Sequence, residues 1–188
     1  MVLHEKHYVA YADGACHGNP GRGGWGVVLI EPDGSQRELN GHSGHTTNNQ
    51  MELTAAIEAL RALAPGAHVT LRSDSQYVIN TMTRGWKRNA NHELWRKLDA
   101  EAAKRKVSFE WVRGHAGDDL NERADELATM GAKGQLVGDG SAPTAHSARL
   151  APGEAVIKCA ECGSEFIAAH RSERFCNHAY CQRIARGK

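Results

Sequence analysis

Four acidic residues stand where metal-assisted chemistry could be carried out: Asp13, Glu52, Asp74 and Asp125. Asp13 and Asp74 each close a short β-rich run, Glu52 falls in the first turn or so of an amphipathic stretch, and Asp125 lies in the last helical stretch. Each has an ordinary alternative use. Asp13 suits an Asp13-Gly14 turn, Asp74 could cap a helix starting at Ser75, and Glu52 would favour a helix N-terminus through the dipole. Helical spacing, however, sets Glu52 beside Ala56, and Asp125 beside Ala124 and Ala128, at the margin of an apolar stripe. Carboxylates held there need a cation. Hard oxygen donors suit Mg²⁺ or Mn²⁺, which bind few carboxylates and reserve positions for water and phosphate oxygens. Two such ions about 3.5 to 4 Å apart can activate water and stabilise the leaving oxygen of a phosphodiester. The chemistry these residue types imply is phosphodiester hydrolysis.

A second set of ligating residues lies near the C-terminus. Of five cysteines, Cys16 stands alone, whereas Cys159, Cys162, Cys176 and Cys181 form two pairs, with two and four residues inside the pairs. In a reducing compartment such a cluster reads as a zinc site before it reads as disulfides. Gly163 and Phe166 are placed like a knuckle turn and its packing residue, and His178 is the alternative ligand to Cys181. With so few apolar side chains, this stretch needs one Zn²⁺ to fold.

The elements that must position the four acids follow from periodicity. Residues His7 to Asp13, Gly24 to Ile30 and Gln36 to Asn40 read as a three-stranded meander, with Glu31-Pro32-Asp33-Gly34-Ser35 as turn chemistry. Asn48 to Ala64 changes to helical spacing, with Leu53, Ala56, Ile57, Leu60 and Leu63 on one face, closed by Pro65-Gly66. Then come a strand over His68 to Ser73, helices over Ser75 to Thr83 and Glu93 to Lys104, a strand over Val107 to Val112 and a helix over Leu120 to Ala132. The order βββαβααβα predicts an α/β layered domain with a mixed sheet. In such sheets, sites form at the carboxyl ends of strands.

Composition bounds the rest. A chain of 188 residues has room for one domain of roughly 130 to 150 residues plus something small. Apolar residues make up 40% and charged residues 24%, ordinary globular proportions that exclude disordered and fibrous classes. No apolar run is long enough for a membrane span and the first residues lack the pattern of a signal peptide, so a cytoplasmic protein, without membrane contact and monomeric, is expected. Net charge is +1, so any polyanion must be held locally. The expected division is a catalytic domain over 1–134, a Gly/Ser/Ala/Pro-rich linker over 135–153 and a zinc-finger-like module over 154–188.

The neighbours of the acids narrow the reading. Tyr11-Ala12-Asp13-Gly14-Ala15-Cys16 with Gly18-Asn19-Pro20-Gly21, Thr47-Asn48-Asn49-Gln50-Met51-Glu52, Ser73-Asp74-Ser75-Gln76-Tyr77-Val78, Trp111-Val112-Arg113-Gly114-His115-Ala116-Gly117 and Asn121-Glu122-Arg123-Ala124-Asp125-Glu126-Leu127-Ala128 occur in that order. Together they resemble ribonuclease H of the bacterial type 1 family, over residues 7 to about 132. The tail resembles small treble-clef-like zinc fingers.

The resemblance implies a ribonuclease H-like mixed five-stranded sheet flanked by helices, followed by a small zinc-stabilised module. It also implies an endoribonuclease that cleaves the RNA strand of RNA/DNA hybrids with two Mg²⁺ (or Mn²⁺) ions, held by Asp13, Glu52, Asp74 and Asp125. His115 is assigned to proton transfer or product release, a task that suits an imidazole. Asn19, Asn49 and Gln76, with Cys16 and Asn48 nearby, are implied to contact the minor groove or the 2′-hydroxyls that mark the RNA strand. Thr47 and Asn91 match positions that hold a DNA-strand phosphate. The chain departs from many bacterial members in having only Arg84-Gly85-Trp86-Lys87-Arg88 and a few more residues where they insert a basic protrusion. Two other readings stay open: a same-fold DNA nuclease or transposase-like enzyme, and a hybrid-binding adaptor acting through the zinc tail, whose partner could be nucleic acid or protein.

Overall fold

The computed structural model describes residues 7–114 and 116–137, and the backbone of two short strands at 155–158 and 165–168. The chain divides into two units, Met1–Gly140 and Ser141–Lys188. In the first, strands β1 (His7–His17), β2 (Gly21–Ile30) and β3 (Gln36–Thr46) lead into α1 (Asn48–Arg61). After them come β4 (His68–Ser73), α2 (Gln76–Arg84), α3 (His92–Ala102), β5 (Lys106–Trp111) and α4 (Asp119–Ala132). The five strands form one sheet in the order β3-β2-β1-β4-β5. The β1–β2 and β2–β3 pairs are antiparallel, and β1–β4 and β4–β5 are parallel. The expected mixed sheet and element order are therefore present.

Strand alternation sorts the core onto two faces. Ala10, Ala12, Val27 and Leu29 belong to one apolar cluster with Leu53, Ile57 and Leu60 of α1, Val78 and Ile79 of α2, and Trp95 and Leu98 of α3. Tyr11 and Val28 belong to the other, with Ala124 and Leu127 of α4. Three helices thus cover one face and α4 the other. Burying these side chains is the main stabilising term.

Helix ends follow local chemistry. Thr47 and Gln50 form a capping box at α1, Ser75 caps α2 by accepting from the Val78 N–H, and Asp118 caps α4. On α4, Arg123 is held by Glu38 of β3 at 2.8 Å. The Asn40 side chain donates to the carbonyls of Leu127 and Gln135 and accepts from the Val137 N–H at 2.9 Å, so contacts of the first unit run on to Val137. The rest of the expected linker, 138–153, lies outside the described residues.

Two expectations need correction. Asp13 does not end its strand: β1 runs on to His17 because its ladder with β2 continues through Gly14↔Trp25 to His17↔Arg22, and β3 runs on to Thr46 because its own ladder with β2 continues to Gly21↔Thr46. Pairing to a neighbour outweighs the weak strand preference of a glycine-rich stretch. Helix α1 stops at Arg61, with Ala62 as its C-cap, rather than at Ala64; the residue before Pro65 is disfavoured in helical conformation. Among the described residues no helix is long and apolar enough to cross a membrane.

Candidate active site

The parallel register of β1 and β4 pairs Tyr11 with Arg72. Two residues further along, Asp13 and Asp74 come level, just past the last pair between β1 and β4. Asp13 alternates onto the same face of β1 as Tyr11, the face that α4 covers. Helix α4 lies close there because β2 presents glycines: a methyl group on Gly26 would overlap the backbone of Ala124 and Ala128, and one on Gly24 that of Ala128 and Ala132. Asp125 travels with that helix. On the opposite face Gly14 plays the same part, since a methyl group there would overlap the backbone of Met51 and Glu52. Three close approaches permitted by missing side chains therefore bring α1 and α4 against β1 and β2 around Asp13.

The electrostatics record that convergence. Asp13 is buried, and its carboxyl is pushed up from an ordinary 3.8 to about 8, first by burial, then by the charge of Asp74, with Asp125 and Glu52 adding to it. Among the described residues, the Gly14 N–H, donating to Oδ1 at 2.7 Å, favours its charged form. Glu52 is also raised, chiefly by burial and then by Asp74, against donors from Ser75 at 2.6 Å and Asn48 at 3.0 Å. It stands one turn into α1, whose first turn holds no acid, so stabilising the helix N-terminus is not its task. Asp74 does not cap α2 either, since Ser75 does. Its backbone carbonyl accepts from the Trp111 indole N–H at 3.1 Å.

A model of the RNase H family matches residues 5–133 of the chain. The chain belongs to the ribonuclease H family. It is 50% identical over 139 residues to "Ribonuclease H" of Roseobacter denitrificans, covering 65% of this chain and 93% of that one. It is 48% identical over 140 residues to "Ribonuclease HI" of a Pseudomonas aeruginosa strain, covering 68% and 94%. Among solved structures, the type 1 enzyme LC9-RNase H1 superposes with a TM-score of 0.62 at 34% identity, covering 74% of this chain and 81% of that one. LC11-RNase H1, solved in complex with an RNA/DNA hybrid, does so with 0.60 at 28%, covering 68% and 97%.

Around the ribonuclease H acids, the residues expected to meet substrate divide into two groups. Asn19, Asn48 and Glu52 form a chain: the Asn48 N–H donates to Asn19 Oδ1 at 3.3 Å, and Asn48 Nδ2 donates to Glu52 Oε1 at 3.0 Å. Cys16 lies alongside, its thiol donating to the Gly18 carbonyl at 2.8 Å and the Thr46 carbonyl at 3.4 Å. Asn49 and Gln76 are exposed in the first turns of α1 and α2. Asn91 stands apart in sequence: it precedes α3 in a left-handed conformation, φ 58°, and donates to the Tyr77 hydroxyl at 3.2 Å. Thr47 spends its hydroxyl on the α1 cap. Seven residues join α2 to α3, and Arg88 among them is held by Asp99 and stacks 4.7 Å from Trp95, which leaves it little freedom to grip a phosphate.

His115 lies outside the described residues, as do Cys159, Cys162, Cys176, Cys181 and His178. In the second unit β6 (Ala155–Lys158) and β7 (Glu165–Ala168) pair antiparallel, and the residues joining them include Cys159 and Cys162. Among the described residues no three acidic, histidine or cysteine side chains form a ready-made metal cage. A closed cage is not what Mg²⁺ requires, because it keeps waters and takes phosphate oxygens alongside one or two carboxylates. A carboxyl pushed to about 8 by burial first and then by neighbouring carboxylates is a site whose charge a cation would balance. Ser75 was missed as a functional residue: read only as part of a motif, it both caps α2 and donates to Glu52. Its place directly after Asp74 at a helix start was the available signal.

Without metal, Asp13 should cost stability as it ionises. An acid harder to ionise folded than unfolded binds more protons in the folded state, so stability falls as pH rises from about 3.8 through about 8. In EDTA at pH 8, Asp13→Asn is expected to raise stability by several kcal/mol, with little gain at pH 4. Thermal unfolding at the two pH values checks this; equal effects at both would contradict the assignment of strain to the charged form.

Proposed function

We propose that this ribonuclease H hydrolyses the RNA strand of RNA/DNA hybrids, with Asp13, Glu52, Asp74 and Asp125 holding two Mg²⁺ (or Mn²⁺) ions. The observation that carries the proposal is the Asp13 carboxyl, raised to about 8 by burial first and then by Asp74, with Asp125 and Glu52 adding to it. Bound there, the ions would supply an activated water and charge stabilisation for the leaving oxygen. The protein's own residues do the rest. Asp13 and Glu52 are held in place by N–H and O–H donors, and burial lowers the effective dielectric around them. Exposed Asn49 and Gln76, with Asn19 and Asn48, offer amides to the 2′-hydroxyls that only the RNA strand carries. Thr47 and Asn91 offer polar groups to the DNA strand, and His115 is the proton carrier of the reading. Hybrid binding by the LC11 relative supports this choice of substrate.

A cleavage assay with Mg²⁺ on hybrid, double-stranded RNA and double-stranded DNA tests it. Cleavage of the RNA strand of the hybrid alone is the expected result. Double-stranded DNA cut at a comparable rate would replace the reading with a DNA nuclease, and hybrid bound without cleavage would replace it with an adaptor.

The second unit is proposed to hold one Zn²⁺ through Cys159, Cys162, Cys176 and Cys181. Two cysteines between paired short strands are the arrangement of a zinc knuckle. Metal analysis of the purified protein is expected to give one zinc per chain, removable by a chelator without loss of the α-helical signal of the first unit. Four freely reactive thiols in a zinc-free protein would overturn it.

A further inference from the structure

We propose that Gly114 is a positioning residue that sets where the Asp74 carboxylate can stand. The inference rests on the metal-binding role of Asp74 proposed above. Gly114 is not at positive φ, unlike Gly117 at +83°, so no backbone conformation demands glycine there. Space does. A methyl group built on Gly114 would overlap Asp74 Oδ2, and its next nearest atoms are Cγ and Cβ of Asp74, at 3.2 and 3.4 Å. All three belong to one side chain.

The backbone of Asp74 and of the strand end leading to Gly114 is tied. Beyond the paired end of β5, the Val112 N–H donates to the Ser73 carbonyl at 3.1 Å. The Trp111 indole N–H donates to the Asp74 carbonyl at 3.1 Å. On its other side Asp74 is followed directly by Ser75, which caps α2 and donates to Glu52. With the main chain held on both sides, the freedom left to Asp74 is in its side-chain torsions, and Gly114 forms one wall of that space. The least costly way to accommodate an added methyl group is to rotate the carboxylate away. The tip of an aspartate is easily moved, so the fold should survive while the metal-binding geometry does not.

Gly114→Ala is therefore expected to lower turnover on hybrid by about tenfold to a hundredfold, the scale of an ångström-sized misplacement, with the Michaelis constant within about threefold. Calorimetry should show weaker Mn²⁺ binding to the free protein. A stability cycle supplies a readout independent of activity: Gly114→Ala should lower the unfolding temperature in the wild-type background and not in Asp74→Ala, where the obstructing carboxylate is gone. Should Gly114→Ala alone fail to fold, recovery of a folded protein in the double variant carries the same meaning. Wild-type turnover and Mn²⁺ affinity in Gly114→Ala, or an equal loss of stability in both backgrounds, would overturn the proposal. Asp74→Asn assayed alongside separates the two levels. If Asp74→Asn is as active as wild type, the metal-site reading fails, whereas an inactive Asp74→Asn beside a fully active Gly114→Ala removes only the positioning role.

Discussion

Asp74→Asn is expected to reduce RNA-strand cleavage by on the order of 10³-fold or more while the protein remains folded and still binds hybrid. The amide matches the carboxylate in size, so the wall at Gly114 and the Trp111 bond to the Asp74 carbonyl are undisturbed. What disappears is one of the three negative charges that act on Asp13, the largest of them. Removing that charge relieves the repulsion on Asp13 and Glu52 and makes the protein more comfortable without metal. The same change weakens the attraction for the cations on which the chemistry depends. Loss of activity without loss of stability is therefore the signature. A steady-state assay beside a thermal melt reads both, and a variant keeping a tenth or more of wild-type activity in Mg²⁺ would remove Asp74 from the metal site.

The acids were legible in the sequence because each carried a pattern larger than itself. Glu52 and Asp125 sit at the margin of an apolar helical stripe, and Asp74 closes a strand just before a helix-capping serine. Their convergence was not legible from spacing alone. It depends on Gly14, Gly24 and Gly26, which a linear reading scores as weak strand formers or turn residues, and which instead let helices touch the sheet. That same reading ended β1 at Asp13, because Asp-Gly is turn chemistry when no partner strand is in view. Ladder pairing with β2 supplies what local preference lacks. The strand β4, rich in β-branched and apolar residues and bounded by Gly66 and Asp74, needed no such help, and its expected limits His68 to Ser73 match those found.

Gly26→Ala is expected to destabilise the domain strongly by forcing a helix away from the sheet. The added carbon would overlap the Ala124 carbonyl oxygen and the Ala128 nitrogen and lie 2.7 Å from Leu127 Cβ. Two of these obstacles are helix backbone, which cannot rotate aside as a side chain can, so α4 must move as a body. Overpacking of this kind costs about 3 kcal/mol, at the upper end of its usual range, or roughly ten degrees of unfolding temperature in a domain of this size. Movement of α4 also carries Asp125 away from Asp13, and it strains the Arg123 pair with Glu38 that ties the helix to β3. Turnover should therefore fall even at temperatures where the variant is fully folded. Gly44→Ala is the matched control in the neighbouring strand: it meets nothing within 4 Å and is not at positive φ, so it should be nearly neutral in both assays. Equal melting temperatures for the two variants would mean that α4 rides further from β2 than the packing around Gly26 implies, and the account of how Asp125 reaches the other acids would fail with it.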